Sequence, residues 1–212
     1  IYKALEDIAR ERKLTPEERQ ECKKFSKLAD AFTPLAKGMN SEFANQNSYD
    51  CIQVHGGSGF MMEYKCQQLY RDARITSIYE GTTQLQTVAA IRYVTNGTYM
   101  SVIRDYEAIP VAEEYEGYMR RIKEMASKLE AVTNAVKDAN DQELLDFCAR
   151  KLYEMTAYTI MCHLLLQDTQ KAPEMFAASL NVFVNHAESE VEKHFNYIRK
   201  MDAAQLDNYR KA

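Results

Sequence analysis

Between Val111 and Leu166 the apolar positions recur at alternating steps of three and four. The first run is Val111, Tyr115, Tyr118, Ile122, Met125, Leu129, Val132 and Val136. After Asp138-Ala139-Asn140-Asp141 the alternation resumes as Leu145, Cys148, Leu152, Met155, Thr159, Cys162 and Leu166, with Thr159 its single polar step. Such a stripe keeps one face of a helix against a partner helix. Past Lys171-Ala172-Pro173 a third helix is predicted to about Lys200, with Phe176, Leu180, Phe183, Val191, Phe195 and Ile198 turned to the core. Three helices of similar length on short connections predict an antiparallel bundle.

Ahead of this bundle the pattern is also helical, but less regular. Residues 1 to 13 read as the end of a helix. The chain opens at Ile1 without a Met, which suggests a piece of a longer protein. Thr15-Pro16-Glu17-Glu18 predicts a helix start, in which Thr caps, Pro occupies the first turn and Glu reaches back. That helix continues to about Ile52, with a kink or a junction of two helices expected at Thr33-Pro34. "VHGGSGF" reads as a turn, Glu63 to about Arg71 as a short helix, and Thr82 to about Tyr93 as another, ended by Asn96-Gly97. No strand alternation stands out. The predicted class is all-α: a helical region over residues 1–109, then a three-helix antiparallel extension over 110–212.

Composition narrows the function classes. Hydrophobic residues make up 46% of 212, which argues against disorder, and a net charge of −4 argues against a nucleic-acid-binding surface. No apolar run is long enough for a membrane span and no signal peptide is visible. Cys22, Cys51, Cys66, Cys148 and Cys162 match neither a zinc pattern nor a disulfide framework. They share no ligand spacing with His55, His163, His186 and His194, so reduced thiols and no metal are expected. Of the seven glycines, Gly56, Gly57, Gly59 and Gly81 lie between residues 56 and 81, which concentrates irregular structure there.

Two features of that stretch carry candidate chemistry. "QVHGGSG" leaves a helix C-terminus, and its glycines either simply end the helix or let backbone N–H groups approach a phosphate. Glu80, in Tyr79-Glu80-Gly81-Thr82, is either a carboxylate favoured at a helix start or a general base in a tight turn, desolvated beside Tyr79.

The ordered set "QVHGGSGFMMEYKCQQLYRDARITSIYEGTTQLQ", Gln53 to Gln86, closely resembles the C-terminal helical domain of acyl-CoA dehydrogenases. The 27 residues from Gln53 to Glu80 agree with that pattern, and the resemblance is strong over roughly residues 30 to 95. It implies that Glu80 removes the α-proton of an acyl-CoA thioester while the β-hydrogen passes as hydride to N5 of FAD, giving a trans-2-enoyl-CoA. It implies that Tyr79 and Gly81 line the substrate pocket, with the Glu80 N–H on the thioester oxygen. Thr82 and Gln84 would contact FAD. Gln53, Val54, His55, Gly56 and Gly57 would touch the FAD of a neighbouring subunit, implying a homodimer or a dimer of dimers. Arg71, Asp72 and Arg74 would be salt-bridged scaffold.

The same resemblance implies an electron-transfer flavoprotein as acceptor, or oxygen if the enzyme is an oxidase. Glu63-Tyr64-Lys65-Cys66 departs from the usual Glu-Tyr-Pro/Gly-Val. The family's N-terminal helical and middle β-domains are not in this sequence, so the chain alone is expected to be inactive; a purely assembly-forming helical module is the alternative. Residues 110–212 resemble, by helical pattern, the extension of long bacterial members, which implies a bacterial cytoplasmic protein.

Overall fold

The computed structural model describes residues 1–210, which divide between Ala90 and Ile91 into two compact units. The units meet inside a helix, whereas the sequence pattern places its divide after residue 109.

In the first unit, α1 (Tyr2–Glu11) is followed by α2 (Pro16–His55). The start of α2 is the predicted capping box: the Glu18 N–H donates to Thr15 Oγ1 at 3.2 Å and the Thr15 N–H to Glu18 Oε2 at 2.9 Å. The Arg12 guanidinium grips the same carboxylate at 2.6 and 2.7 Å and, with the Thr15 N–H, holds it at about 2, well below its usual range. Pro34 does not split α2 in two. It is buried with Ala31, Leu35, Gly38 and Met39, and packing of that face offsets the hydrogen bond a proline removes.

After α2 come α3 (Gly57–Phe60) and α4 (Cys66–Thr76). The "VHGGSGF" turn therefore contains a single helical turn. The following helix starts three residues later and ends five later than the sequence suggests, because Glu63-Tyr64-Lys65 forms turns and Cys66 is its first buried residue. Helix α5 (Thr83–Thr95) ends near Asn96-Gly97 as expected, with Gly97 at φ 80.

The second unit adds α6 (Thr98–Glu107), a 3-10 turn at Glu113–Tyr115, α7 (Glu116–Asp138), α8 (Gln142–Lys171), α9 (Pro173–Arg199) and α10 (Ala203–Arg210). Connections of three residues and one residue reverse the chain between α7, α8 and α9, so the bundle is antiparallel. No strand occurs among the described residues. Ile122, Met125, Leu129, Val132 and Val136 of α7 are buried as the stripe predicts, while Val111, Tyr115 and Tyr118 are half-buried. Helix α8 is buried almost all round from Leu152 to His163. Its Thr156 and Thr159 hydroxyls donate to the Leu152 and Met155 carbonyls, each at 2.8 Å, so the polar step in the stripe is satisfied within its own helix. In α9 the core differs from expectation. Leu180, Val191 and Ile198 are buried, but Phe176, Phe183 and Phe195 are half-exposed, and Val184, Ala187 and His194 fill the inner face. Polar clamps rim the bundle: Arg121 on Glu188 at 2.6 Å, Lys128 on Glu192 at 2.7 Å, and Glu154 between Arg150 at 2.6 Å and His194 at 2.8 Å.

Candidate functional site

Helix α4 ends where its last turn tightens: the Ile78 and Tyr79 N–H groups both donate to the Ile75 carbonyl, at 2.9 and 3.0 Å. The Thr83 N–H then returns to the Ser77 carbonyl at 3.2 Å, closing the loop before α5 begins. Within it Glu80 has φ 51 and Gly81 φ 93, two successive residues in left-handed backbone. Glycine takes this conformation freely, whereas a side chain there costs roughly 1–2 kcal/mol.

Neighbouring side chains hold the loop in place. Lys37 Nζ, on α2, donates to the Tyr79 carbonyl at 3.1 Å and also to the Gly81 carbonyl. Gln86 Nε2 donates to the Glu80 and Gly81 carbonyls at 3.4 and 3.2 Å. Three consecutive carbonyls are thus tied back to Lys37 and Gln86. A Cβ on Gly81 would lie 2.7 Å from Gln86 Nε2, inside this clamp. Thr83 Oγ1 donates to Glu42 Oε1 at 2.6 Å, and Asn45 Nδ2 to the Ala73 carbonyl at 3.2 Å, so α2 anchors both sides of the loop.

The Glu80 side chain takes no part in this fastening. Thr82 Oγ1 accepts from the Leu85 N–H at 3.3 Å and caps α5, so the capping explanation for Glu80 falls away. Among the described residues no donor reaches the Glu80 carboxylate, and its N–H finds no acceptor. Glu80 is exposed and Tyr79 is 49% exposed. The desolvation expected beside Tyr79 is therefore not provided by the described residues, which leave the carboxylate exposed. Gly81 is half-buried, and Thr82 and Gln84 are exposed in the first turn of α5.

The glycine loop lies at the far end of α2. Gly56 has φ 60 and its N–H donates to the Gln53 carbonyl at 3.2 Å. Gly59 is buried against the helix end, where a Cβ would lie 2.6 Å from His55 Cβ, whereas a Cβ on Gly56 or Gly57 would meet open space. Gln53, Val54, His55, Gly56 and Gly57 are all exposed. From Lys37 to Gln53 the helix rises about 24 Å. The two candidate stretches are therefore separate surfaces on one rigid rod.

Two expectations change. Arg71, Asp72 and Arg74 form no ion pair among the described residues; Arg74 Nη1 donates to Ser77 Oγ at the end of its own helix. The structure also gathers Cys51, His55 and Cys66, which linear spacing did not group. Cys51 and His55 are one helical turn apart, a signal present in the sequence, but Cys66 joins them only through the fold of the intervening loop. Lys37 and Gln86 were also missed as loop fasteners. Lys37 lies 42 and 44 residues from its partners, beyond any local pattern.

Two family models match the chain: "Acyl-CoA dehydrogenase C terminal" over residues 95–206, more than half of it, and "Acyl-CoA dehydrogenase, C-terminal domain" over 15–94. Among curated proteins, an acyl-CoA dehydrogenase of Bacillus subtilis is 39% identical over 64 residues, 30% of this chain and 17% of that one. The mitochondrial long-chain specific acyl-CoA dehydrogenase of Sus scrofa is 39% identical over 70 residues, 33% of this chain and 16% of that one. The caffeyl-CoA reductase-Etf complex subunit CarC of Acetobacterium woodii is 46% identical over 52 residues, 24% of this chain and 14% of that one. The matched stretch spans 17% or less of these relatives' length. Among solved structures, an acyl-CoA dehydrogenase family protein from Porphyromonas gingivalis is 36% identical with a TM-score of 0.51, covering 54% of this chain and 98% of that one. An acyl-CoA dehydrogenase complexed with FAD from Bacillus anthracis aligns with a TM-score of 0.69 over 93% of this chain and 38% of its own, at 19% identity, a likeness of fold alone.

Proposed function

This chain belongs to the acyl-CoA dehydrogenase family, and we propose that it is the region of such an enzyme that carries the catalytic base, Glu80. One observation carries this reading. Glu80 is held in costly left-handed backbone by fasteners that leave its carboxylate free, while Thr82 does the capping that would otherwise explain it.

The α C–H of an acyl-CoA thioester is a weak acid, so its removal needs a positioned carboxylate and a donor on the thioester oxygen. Glu80 supplies the carboxylate and its unpaired N–H the donor, both from one residue. Gly81 and Tyr79 line the same pocket, and bound substrate supplies the cover that this chain lacks. Thr82 and Gln84 hold FAD beside the base. When bound, FAD would supply the hydride acceptor for the β-hydrogen, so that the product would be a trans-2-enoyl-CoA. The exposed residues Gln53 to Gly57, with open space over Gly56 and Gly57, accept the dinucleotide part of a second FAD. Their distance along α2 from the base supports a homodimer or dimer of dimers in which each chain serves two cofactors. An electron-transfer flavoprotein takes up the electrons.

The test is Glu80→Gln in the full-length enzyme. Loss of a general base lowers kcat by about 10²–10⁴, while flavin content and melting temperature stay at wild-type values. Wild-type turnover in this variant would remove Glu80 from the mechanism. The 212-residue chain alone, mixed with FAD, is expected to give no bound flavin that acyl-CoA bleaches.

A further inference from the structure

We propose that Cys51, His55 and Cys66 form a binding site for a tetrahedral, thiolate-favouring divalent cation, zinc in particular. Cys51 and His55 project from the last turn of α2, and Cys66 opens α4. The two sulfurs are 3.4 Å apart, His55 Nδ1 is 3.9 Å from Cys51 Sγ, and all three ligand atoms lie within 4.8 Å of one another. With zinc–sulfur bonds of about 2.3 Å and zinc–nitrogen bonds of about 2.0 Å, tetrahedral ligation separates two sulfurs by about 3.8 Å and sulfur from nitrogen by about 3.5 Å. The two edges that meet at Cys51 are thus within about 0.4 Å of those lengths, and the edge from Cys66 to His55, within 4.8 Å, closes by side-chain rotation. A disulfide, by contrast, needs the sulfurs at about 2.05 Å.

The surroundings agree with a cation. Cys66 is buried, Cys51 half-buried and His55 exposed, so the fourth corner faces solvent and is open to water. At rest the imidazole is held by Nδ1–H donated to the Cys51 carbonyl at 2.8 Å and by the Tyr64 ring at 5.2 Å between centroids; on binding, Nδ1 gives up that bond and its proton to take the cation, and Nε2 carries the remaining proton. The hydrogen bond that the Cys51 thiol donates to Cys66 Sγ, then burial, pushes the Cys51 thiol upward; a divalent cation takes the place of that proton between the two sulfurs. Two thiolates and an imidazole select zinc over magnesium or calcium, which prefer oxygen.

Such a cation would clip the end of α2 to the start of α4 and close the segment that holds the glycine loop. It uses the His55 imidazole and leaves the loop's backbone free. The site does not depend on the dehydrogenase reading, and its readout is metal binding rather than turnover.

Cobalt(II) titrated into the reduced full-length protein tests it. The expected result is one equivalent per chain. It should give thiolate-to-cobalt charge-transfer absorption and the intense visible bands of a tetrahedral site, and zinc should displace it. Cys51→Ser and Cys66→Ser each abolish the signal, and His55→Ala weakens binding. Zinc should also protect the half-buried Cys51 from alkylation in the wild-type protein, with the half-buried Cys22 as the unprotected control, a readout that needs no variant to fold. The proposal is overturned by absence of these bands, by bands that persist in either serine variant, by alkylation unaffected by zinc, or by a Cys51–Cys66 disulfide as the resting form.

Discussion

Glu80 occupies backbone that glycine would occupy at no cost, and the fold supports it with Lys37 and Gln86. Opposite outcomes are therefore expected at neighbouring positions. Glu80→Gly relieves the left-handed strain and raises stability by about 1 kcal/mol. Gly81→Ala, at φ 93, lowers it by about 1–2 kcal/mol, chiefly through the backbone, since Gln86 Nε2 can swing away. Thermal melts of the two variants decide the matter; an unstable Glu80→Gly would mean that the carboxylate holds the turn. Little of this was legible in the sequence. The motif singled out Glu80 and Gly81, but the residues that fasten the loop come from α2, far away along the chain. The expected desolvation failed for a related reason: a motif names neighbours in sequence, and cover comes from neighbours in space.

At the scale of elements, legibility follows how completely a helix is buried. The α7 and α8 stripes were readable because most of their inward positions are apolar at steps of three and four. Helix α9 was half misread because size is a poor guide to depth: its phenylalanines lie at the rim, while Val184, Ala187 and His194 fit the narrow interior. Helix α6 was missed because its buried residues are only Tyr99 and Ile103, too few to make a pattern. Helix α8 hides a titratable group in its buried surface. His163 is 1% exposed, its Nε2 has no hydrogen-bond partner, and burial, assisted by the Lys123 charge, lowers it from 6.5 to about 4. Between those values the unfolded chain binds the proton and the folded one does not. Stability therefore falls as pH drops from about 6.5 to about 4, by up to about 3 kcal/mol. Denaturant melts across this range should show the slope, and His163→Leu should flatten it; an unchanged slope would place the titration elsewhere.

Across the whole molecule the two units differ in how they finish their surfaces. Among the described residues from 91 onward only Met175 and Val182 are large apolar side chains more than half exposed, whereas residues 1–90 leave Val54, Phe60, Met62, Leu69 and Val88 so, among others. A region that lies against other parts of a larger enzyme would have such a surface. Helix α2 shows the same imbalance along its own length. Its 40 residues extend about 60 Å, yet its buried positions begin only at Ala31. The stretch from Pro16 to Asp30 carries Arg19, Lys23, Lys24 and Lys27 with no buried residue among them. Brief exposure to trypsin should therefore nick the chain here first and leave a resistant core that starts at Phe25 or Leu28.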